Sequence, residues 1–117
     1  MRHFTRSEFA CKCGCGFDDI DLKLVDLLDE LREYYDAPIT VTSGCRCEAH
    51  NKSIKGSAKK SQHLLGTAAD IKVRDVETAR VARMAILIGA NGVKQYQNFT
   101  HIDVRAGESW HRLKDEQ

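Results

Sequence analysis

From Asp21 to Tyr35 the chain repeats apolar side chains at helical spacing, with Leu24, Val25, Leu28, Leu31 and Tyr35 on one face and Lys23, Asp26, Asp29, Arg32 and Glu33 mostly elsewhere. A helix with one apolar stripe must bury it against a second layer. Asp21 is placed to cap it, and Asp36 to Pro38 end it, because the residue before a proline is pushed out of helical geometry. Directly afterwards Ile39 to Thr42 switches to β-branched alternation and stops at Ser43 and Gly44, a strand feeding a turn. The same two periodicities return later. Thr67 to Val73 reads as a strand and Val76 to Ile88 as a helix, with Ala79, Ala82, Arg83 and Ile86 on one side. Gly89 to Gly92 stops that helix, and Gly92 to Tyr96 and Phe99 to Arg105 are strands separated by Gln97 and Asn98, the spacing of a hairpin. The expected fold is α+β, a small antiparallel sheet with both helices packed on one face. A length of 117 residues suits one core, so residues 1–117 are expected to form a single domain.

Eighteen Lys and Arg against seventeen Asp and Glu give a formal net charge of +1, which argues against a nucleic-acid partner. No apolar run reaches the roughly 18 residues of a membrane span, so no membrane insertion is expected. Met1 to Ala10 lacks the apolar stretch of a signal peptide, and synthesis in the cytoplasm is the expectation. Five cysteines cannot all pair internally, and without an export signal their thiols should stay reduced. Cys11, Cys13 and Cys15, and again Cys45 and Cys47, stand at i, i+2, which is not the spacing of common zinc ribbons. Two explanations are open for them. Either the first group joins Cys45 or Cys47 around a structural zinc that pins the N-terminal arm, or several are small buried hydrophobes. Glu48 to Ile54 is loop or short helix, Gly56 to Gln62 a mobile polar loop carrying Lys59 and Lys60, His3 and His50 surface residues, and Lys114 to Gln117 a frayed charged tail.

The chemistry concentrates in Ser61 to Asp70, where an imidazole, His63, closes a polar loop and a carboxylate, Asp70, follows inside an apolar strand. A carboxylate there is costly to bury unless it is paired or bound to a cation. Gly66 and Ala68 between them leave room for a close approach. In the last expected strand, alternation puts His101, Asp103 and Arg105 on one face and Thr100, Ile102 and Val104 on the other. Aligned with Asp70, that face assembles two imidazoles and one carboxylate with an open fourth position, the composition of a catalytic zinc site. A solvated outer sheet face would carry the same pattern.

Ser61, His63, Gly66, Ala68 and Asp70 match SxHxxGxAxD at every fixed position. Upstream, Ser43, Gly44, Arg46, Cys47 and Asn51 follow SGxRCxxxN, and downstream Phe99, His101, Asp103, Val104, Arg105 and Trp110 follow FxHxDVR and a later W. Together with Glu8, Phe9 and the run Cys11 to Gly16, the chain resembles the zinc D-Ala-D-Ala carboxypeptidases and L-alanyl-D-glutamate endopeptidases of the hedgehog/DD-peptidase fold, in their short, phage-associated branch. The resemblance implies a Zn2+ cofactor held by His63, Asp70 and His101, and a peptidoglycan stem or cross-link peptide as substrate. It also implies delivery to the bacterial wall by lysis, a pore or a phage particle. Arg46 is the expected cationic group that grips a substrate oxygen.

The proton acceptor departs from the family pattern. Where one branch has a His two residues before the last ligand this chain has Phe99, and where others have an acid three residues before it this chain has Asn98. Asp103, on the face of His101, is the leading candidate for the base and alternatively orients that ligand. A rival element, Glu108, Trp110 and His111, would move the base to Glu108 and the third ligand to His111, although Gly107 and the charged tail make it look like the end of a loop. The missing base also leaves open a non-catalytic, zinc-stabilised binding module of the same fold, and the cysteine pairs leave open a thiol-based protein.

Overall fold

The computed structural model describes residues 1–114, so the tail beyond Lys114 lies outside the described residues. After an N-terminal arm with a 3-10 turn at Arg6–Phe9, the elements are α1 (Leu22–Tyr35), β1 (Ile39–Ser43), α2 (Glu48–Ser53), a second 3-10 turn (Gln62–Leu65) and β2 (Ala68–Val73). Then follow α3 (Thr78–Leu87), β3 (Gly92–Gln95), β4 (Thr100–Asp103) and β5 (Trp110–Arg112). The five strands form one sheet in the order β1, β2, β4, β3, β5. The pairs β1/β2, β2/β4 and β3/β4 are antiparallel. The α+β class read from the sequence is the class of the structure.

Each element has a local cause. Asp21 accepts the Lys23 N–H at 2.8 Å and so caps α1, while Asp36, left-handed at φ 48°, closes it ahead of Pro38. The hairpin between β3 and β4 turns at Gln97 and Asn98 and is closed by the Tyr96 N–H on the Phe99 carbonyl at 3.0 Å. Alternation divides the sheet into two faces. Ala69, Ile71, Val93 and Ile102 are fully buried on one of them and pack with Leu24, Leu28 and Leu31 of α1 and Val81, Ala82 and Ala85 of α3. Asp70, His101 and Asp103 project from the opposite face.

Three local expectations need correction. The segment around Trp110 is not a loop end: it pairs with β3 as a parallel strand, Gly92 beside Trp110 and Val93 beside His111, so the sheet is mostly rather than wholly antiparallel. Asp29 does not stay on the polar face of α1 but is fully buried. Arm residues fold over it, and the backbone N–H groups of Arg2 and His3 donate to its carboxylate at 3.2 and 3.0 Å. The polar loop after Gly56 is tied down rather than free, because Ser57 Oγ donates to the Asn51 carbonyl at 2.6 Å and Asn51 Nδ2 to that of Ala58 at 2.9 Å.

Candidate metal centre

Asp70 of β2 and His101 of β4 are direct cross-strand partners, so both side chains leave the sheet at one point. His63 reaches the same point from the second 3-10 turn. Ser61 caps that turn by accepting the His63 N–H at 3.2 Å. Gly66 ends it at φ 71°, where a Cβ would run into the Asp19 carbonyl and where its own carbonyl accepts the Asp21 N–H at 2.8 Å. The spacing from His63 to Asp70 is therefore set by one capped turn, a left-handed glycine and the start of a strand.

Hydrogen bonds to the far side of each ring fix what faces inward. His63 Nδ1 lies 2.7 Å from the Gly44 carbonyl, which can only accept, so Nδ1 carries the proton and Nε2 points at Asp70 Oδ1, 3.2 Å away. His101 Nε2 lies 2.8 Å from Asp103 Oδ2 and Nδ1 lies 3.0 Å from the same Asp70 oxygen; both partners are acceptors, so the neutral ring can satisfy one of them, and with its proton on Nε2 the Nδ1 lone pair faces Asp70. Two imidazole lone pairs and a carboxylate oxygen thus converge, within 4.8 Å of one another. Three acceptors aimed at one point repel unless protons or a cation come between them. Two His and one Asp, each ring oriented by an outer acceptor, are a donor set that suits a zinc ion.

Without a cation the conflict appears as shifted titration. Burial pushes the Asp70 carboxyl up, but in the absence of a cation its contacts with the His101 and His63 rings overcome this and hold it at about 2. Burial lowers His101, yet its bonds to Asp103 and Asp70 raise it above its ordinary value.

Arg46 joins the group in a way the sequence did not reveal. It is buried, and its Nε donates to Ser43 Oγ at 3.0 Å, Nη1 to Asn51 Oδ1 at 3.2 Å and Nη2 to Asp70 Oδ2 at 3.3 Å. Three of its five N–H donors hold protein groups, two remain, and the guanidinium edge lines the cleft above the centre. Ser43 and Asn51, the outer members of the SGxRCxxxN segment, are its anchors.

Asp103 is fully buried. One oxygen accepts the Arg105 backbone N–H at 3.1 Å and Nε at 2.9 Å, and the other accepts Arg105 Nη2 at 2.6 Å beside His101. Burial opposes ionisation, but His101 and Arg105 hold the carboxyl well below the usual carboxylate range. Small neighbours make room for it: Ala68 and Gly92 are its cross-strand partners on either side, and a Cβ on Gly92 would land on the carboxylate itself. Arg105, two residues on and on the same face, was the available signal for this pairing.

Glu108 is exposed and does not line the cleft. His111 lies beside Val93, whose side chain is in the core, so it faces away from the centre, and its Nε2 is buried without a hydrogen-bond partner. The geometry brings His101, and not His111, to His63 and Asp70.

The cleft over the centre encloses about 620 Å3. Lys55, Lys60, Lys94 and Arg105 line it with Arg46, and Asp70 is the one acid among its described lining residues. Its walls are aromatic. Tyr96 stacks on Phe99 with centroids 4.3 Å apart, and Trp110 sits edge-on 6.2 Å from the His101 ring with the Arg105 guanidinium 4.7 Å from its face. Of the lysines, Lys60 was legible as part of the loop that runs into His63, while nothing local placed Lys55 and Lys94 at this site, because only the fold gathers them. Cys45 stands apart, buried in the core, where burial raises its thiol to about 11. Among the described residues no helix is long and apolar enough to cross a membrane.

A family model described as Peptidase M15 matches residues 2–103. The peptidoglycan L,D-endopeptidase MepK of Escherichia coli (strain K12) is 30% identical over 118 residues, an alignment that covers 94% of this chain and 63% of the relative. The protein of the same name from Shigella flexneri aligns with the same figures. This chain thus spans 63% of the length of the curated relatives it matches.

Proposed function

The chain belongs to the Peptidase M15 family, and on that premise we propose that it is a zinc-dependent peptidase that hydrolyses a peptide bond in the stem or cross-link of peptidoglycan. The observation that carries this reading is the convergence of His63 Nε2, Asp70 Oδ1 and His101 Nδ1 on one point at the floor of a cationic cleft. A zinc ion held by these three residues would supply Lewis acidity that polarises a peptide carbonyl and activates water.

The remaining residues take roles from their contacts. Gly44 and Asp103 fix the tautomers of His63 and His101. Asp103, committed to His101 and Arg105, is an orienting group and not a proton acceptor open to the cleft. Arg46 holds Asp70 from behind and offers its two unused N–H donors to a carbonyl or carboxylate oxygen of the substrate. Lys55, Lys60, Lys94 and Arg105 suit a peptide bearing free carboxylates, as wall stem peptides do, and the aromatic wall suits its apolar parts. The relatives' name specifies L,D-endopeptidase activity, which favours an internal bond over removal of a terminal D-alanine.

One observation favours a second reading. Among the described residues lining the cleft, no carboxylate or imidazole outside the three ligands is present to take a proton. On that reading the chain binds the wall peptide without cutting it. Digestion of purified peptidoglycan, followed by mass spectrometry of the released muropeptides, separates the two. Hydrolysis predicts new peptide ends with the zinc-loaded protein, none after chelation or with His63→Ala, and recovery when zinc is restored to the chelated wild type. Zinc-dependent binding to the wall with no new ends overturns the peptidase.

A further inference from the structure

We propose that Cys11, Cys13, Cys15 and Cys47 form a second metal site, a four-thiolate structural zinc centre on the far side of the Arg46 turn. These sulfurs lie within 4.8 Å of one another, with Cys11 Sγ 3.4 Å from Cys13 Sγ and Cys13 Sγ 3.6 Å from Cys47 Sγ. Four sulfurs about 2.3 Å from a zinc ion occupy corners about 3.8 Å apart, so the cluster has the size of the coordination shell. Cys13 touches two other sulfurs at once, which a shared ion explains and one disulfide does not.

The backbone is arranged for thiolates. The Cys47 N–H points at Cys11 Sγ and the His50 N–H at Cys47 Sγ, each at 3.4 Å, and such donors stabilise sulfur that has lost its proton. The arm is coiled to present three sulfurs from five residues. Gly14 and Gly16 both take positive φ, the Gly14 N–H returns to the Cys11 carbonyl at 3.1 Å, and the Cys11 N–H closes the loop on the Phe17 carbonyl at 2.8 Å. This coil lets three sulfurs at i, i+2 spacing meet at one point, with the fourth coming from a different segment. The odd count follows, since Cys45 is turned into the core and left out of the cluster.

The location gives the site a purpose. Cys47 follows Arg46 directly, and the Cys45 N–H bonds to the Phe9 carbonyl at 2.8 Å, so an ion here would tie the arm to the segment from which Arg46 reaches Asp70. The ion would be closed off by four protein ligands, as structural zinc sites are.

The test is zinc stoichiometry by native mass spectrometry on the full chain, with X-ray absorption at the zinc edge. The wild type is expected to carry two zinc ions. His63→Ala/His101→Ala should keep one, with four sulfur neighbours at about 2.3 Å, and adding Cys45→Ser to that variant should leave the shell at four. If the wild type binds a single ion that is already all-sulfur, the cysteine site stands and the peptidase reading falls. A shell of nitrogen and oxygen alone in the wild type, or a disulfide among these four cysteines, overturns the proposal without requiring any variant to fold.

Discussion

Replacing Asp103 with Asn separates an orienting role from a proton-transfer role, because only the first makes zinc affinity depend on the carboxylate. The carboxylate accepts four hydrogen bonds, with Arg105 N and Nε on one oxygen and Arg105 Nη2 and His101 Nε2 on the other. An Asn that keeps its oxygen on the first position turns an amide NH2 toward the donors Nη2 and Nε2–H. Flipped, it keeps His101 but faces the donors N and Nε of Arg105. Either way a charge-assisted hydrogen bond worth roughly 1.5–3 kcal/mol is lost from the group that aims His101. At about 1.4 kcal/mol per decade this weakens zinc binding by about 10- to 100-fold. Competition against a chromogenic chelator measures the affinity, and turnover on muropeptide at saturating zinc measures the rest. The expected result is weakened binding with turnover substantially recovered by excess zinc. Unchanged affinity with turnover abolished would refute the orienting role and return Asp103 to the position of base.

Gly92→Ala drives a methyl group onto the Asp103 carboxylate; a loss of about 1–3 kcal/mol and lower zinc affinity are expected by thermal melts and chelator competition, and a wild-type melt contradicts the crowding. Asn51→Ala removes the acceptor of Arg46 Nη1 and the donor to Ala58; a destabilisation of roughly 1.5–3 kcal/mol is expected in denaturant titration, with a rise in KM if Arg46 also holds substrate. His111→Ala is expected to leave the metal content at the His63 centre unchanged by native mass spectrometry, and loss of that ion would restore His111 as a ligand. In chelated protein, the raised His101 value contributes stability that is complete below its ordinary 6.5 and is lost as pH climbs through the raised value. The metal-free melting temperature should therefore fall as pH rises above about 6.5. Zinc-loaded protein should show the opposite trend, because protons no longer compete for both imidazoles as pH rises, and parallel trends would argue against two histidine ligands.

Local rules carried the sequence reading a long way. The helix from Asp21, the strand holding Asp70 and the alternation that puts His101 and Asp103 on one face all follow from periodicity and capping, and the structure shows each within a few residues of its expected ends. What stayed hidden was non-local. The strand Trp110–Arg112 is only three residues long and exists because β3 offers it an edge. Asp29 carries a polar label on its helix, and only the returning arm buries it. At the candidate centre the residues were legible while their partners were not. Nothing local says that Arg46 turns its Nη2 toward Asp70, and the shared face of His101, Asp103 and Arg105 signals their pairing without saying which oxygen each one takes. Gly92 gave no sign of its purpose, because the carboxylate that fills its missing side chain comes from another strand.

Anomalous diffraction at the zinc absorption edge, recorded from crystals grown in zinc, bears most directly on the lone pairs that meet above β2 and β4. A strong peak is expected within coordination distance of His63 Nε2, Asp70 Oδ1 and His101 Nδ1. Zinc bound elsewhere, with those three atoms bridged only by protons or water, would contradict the metal centre on which the proposed hydrolysis rests.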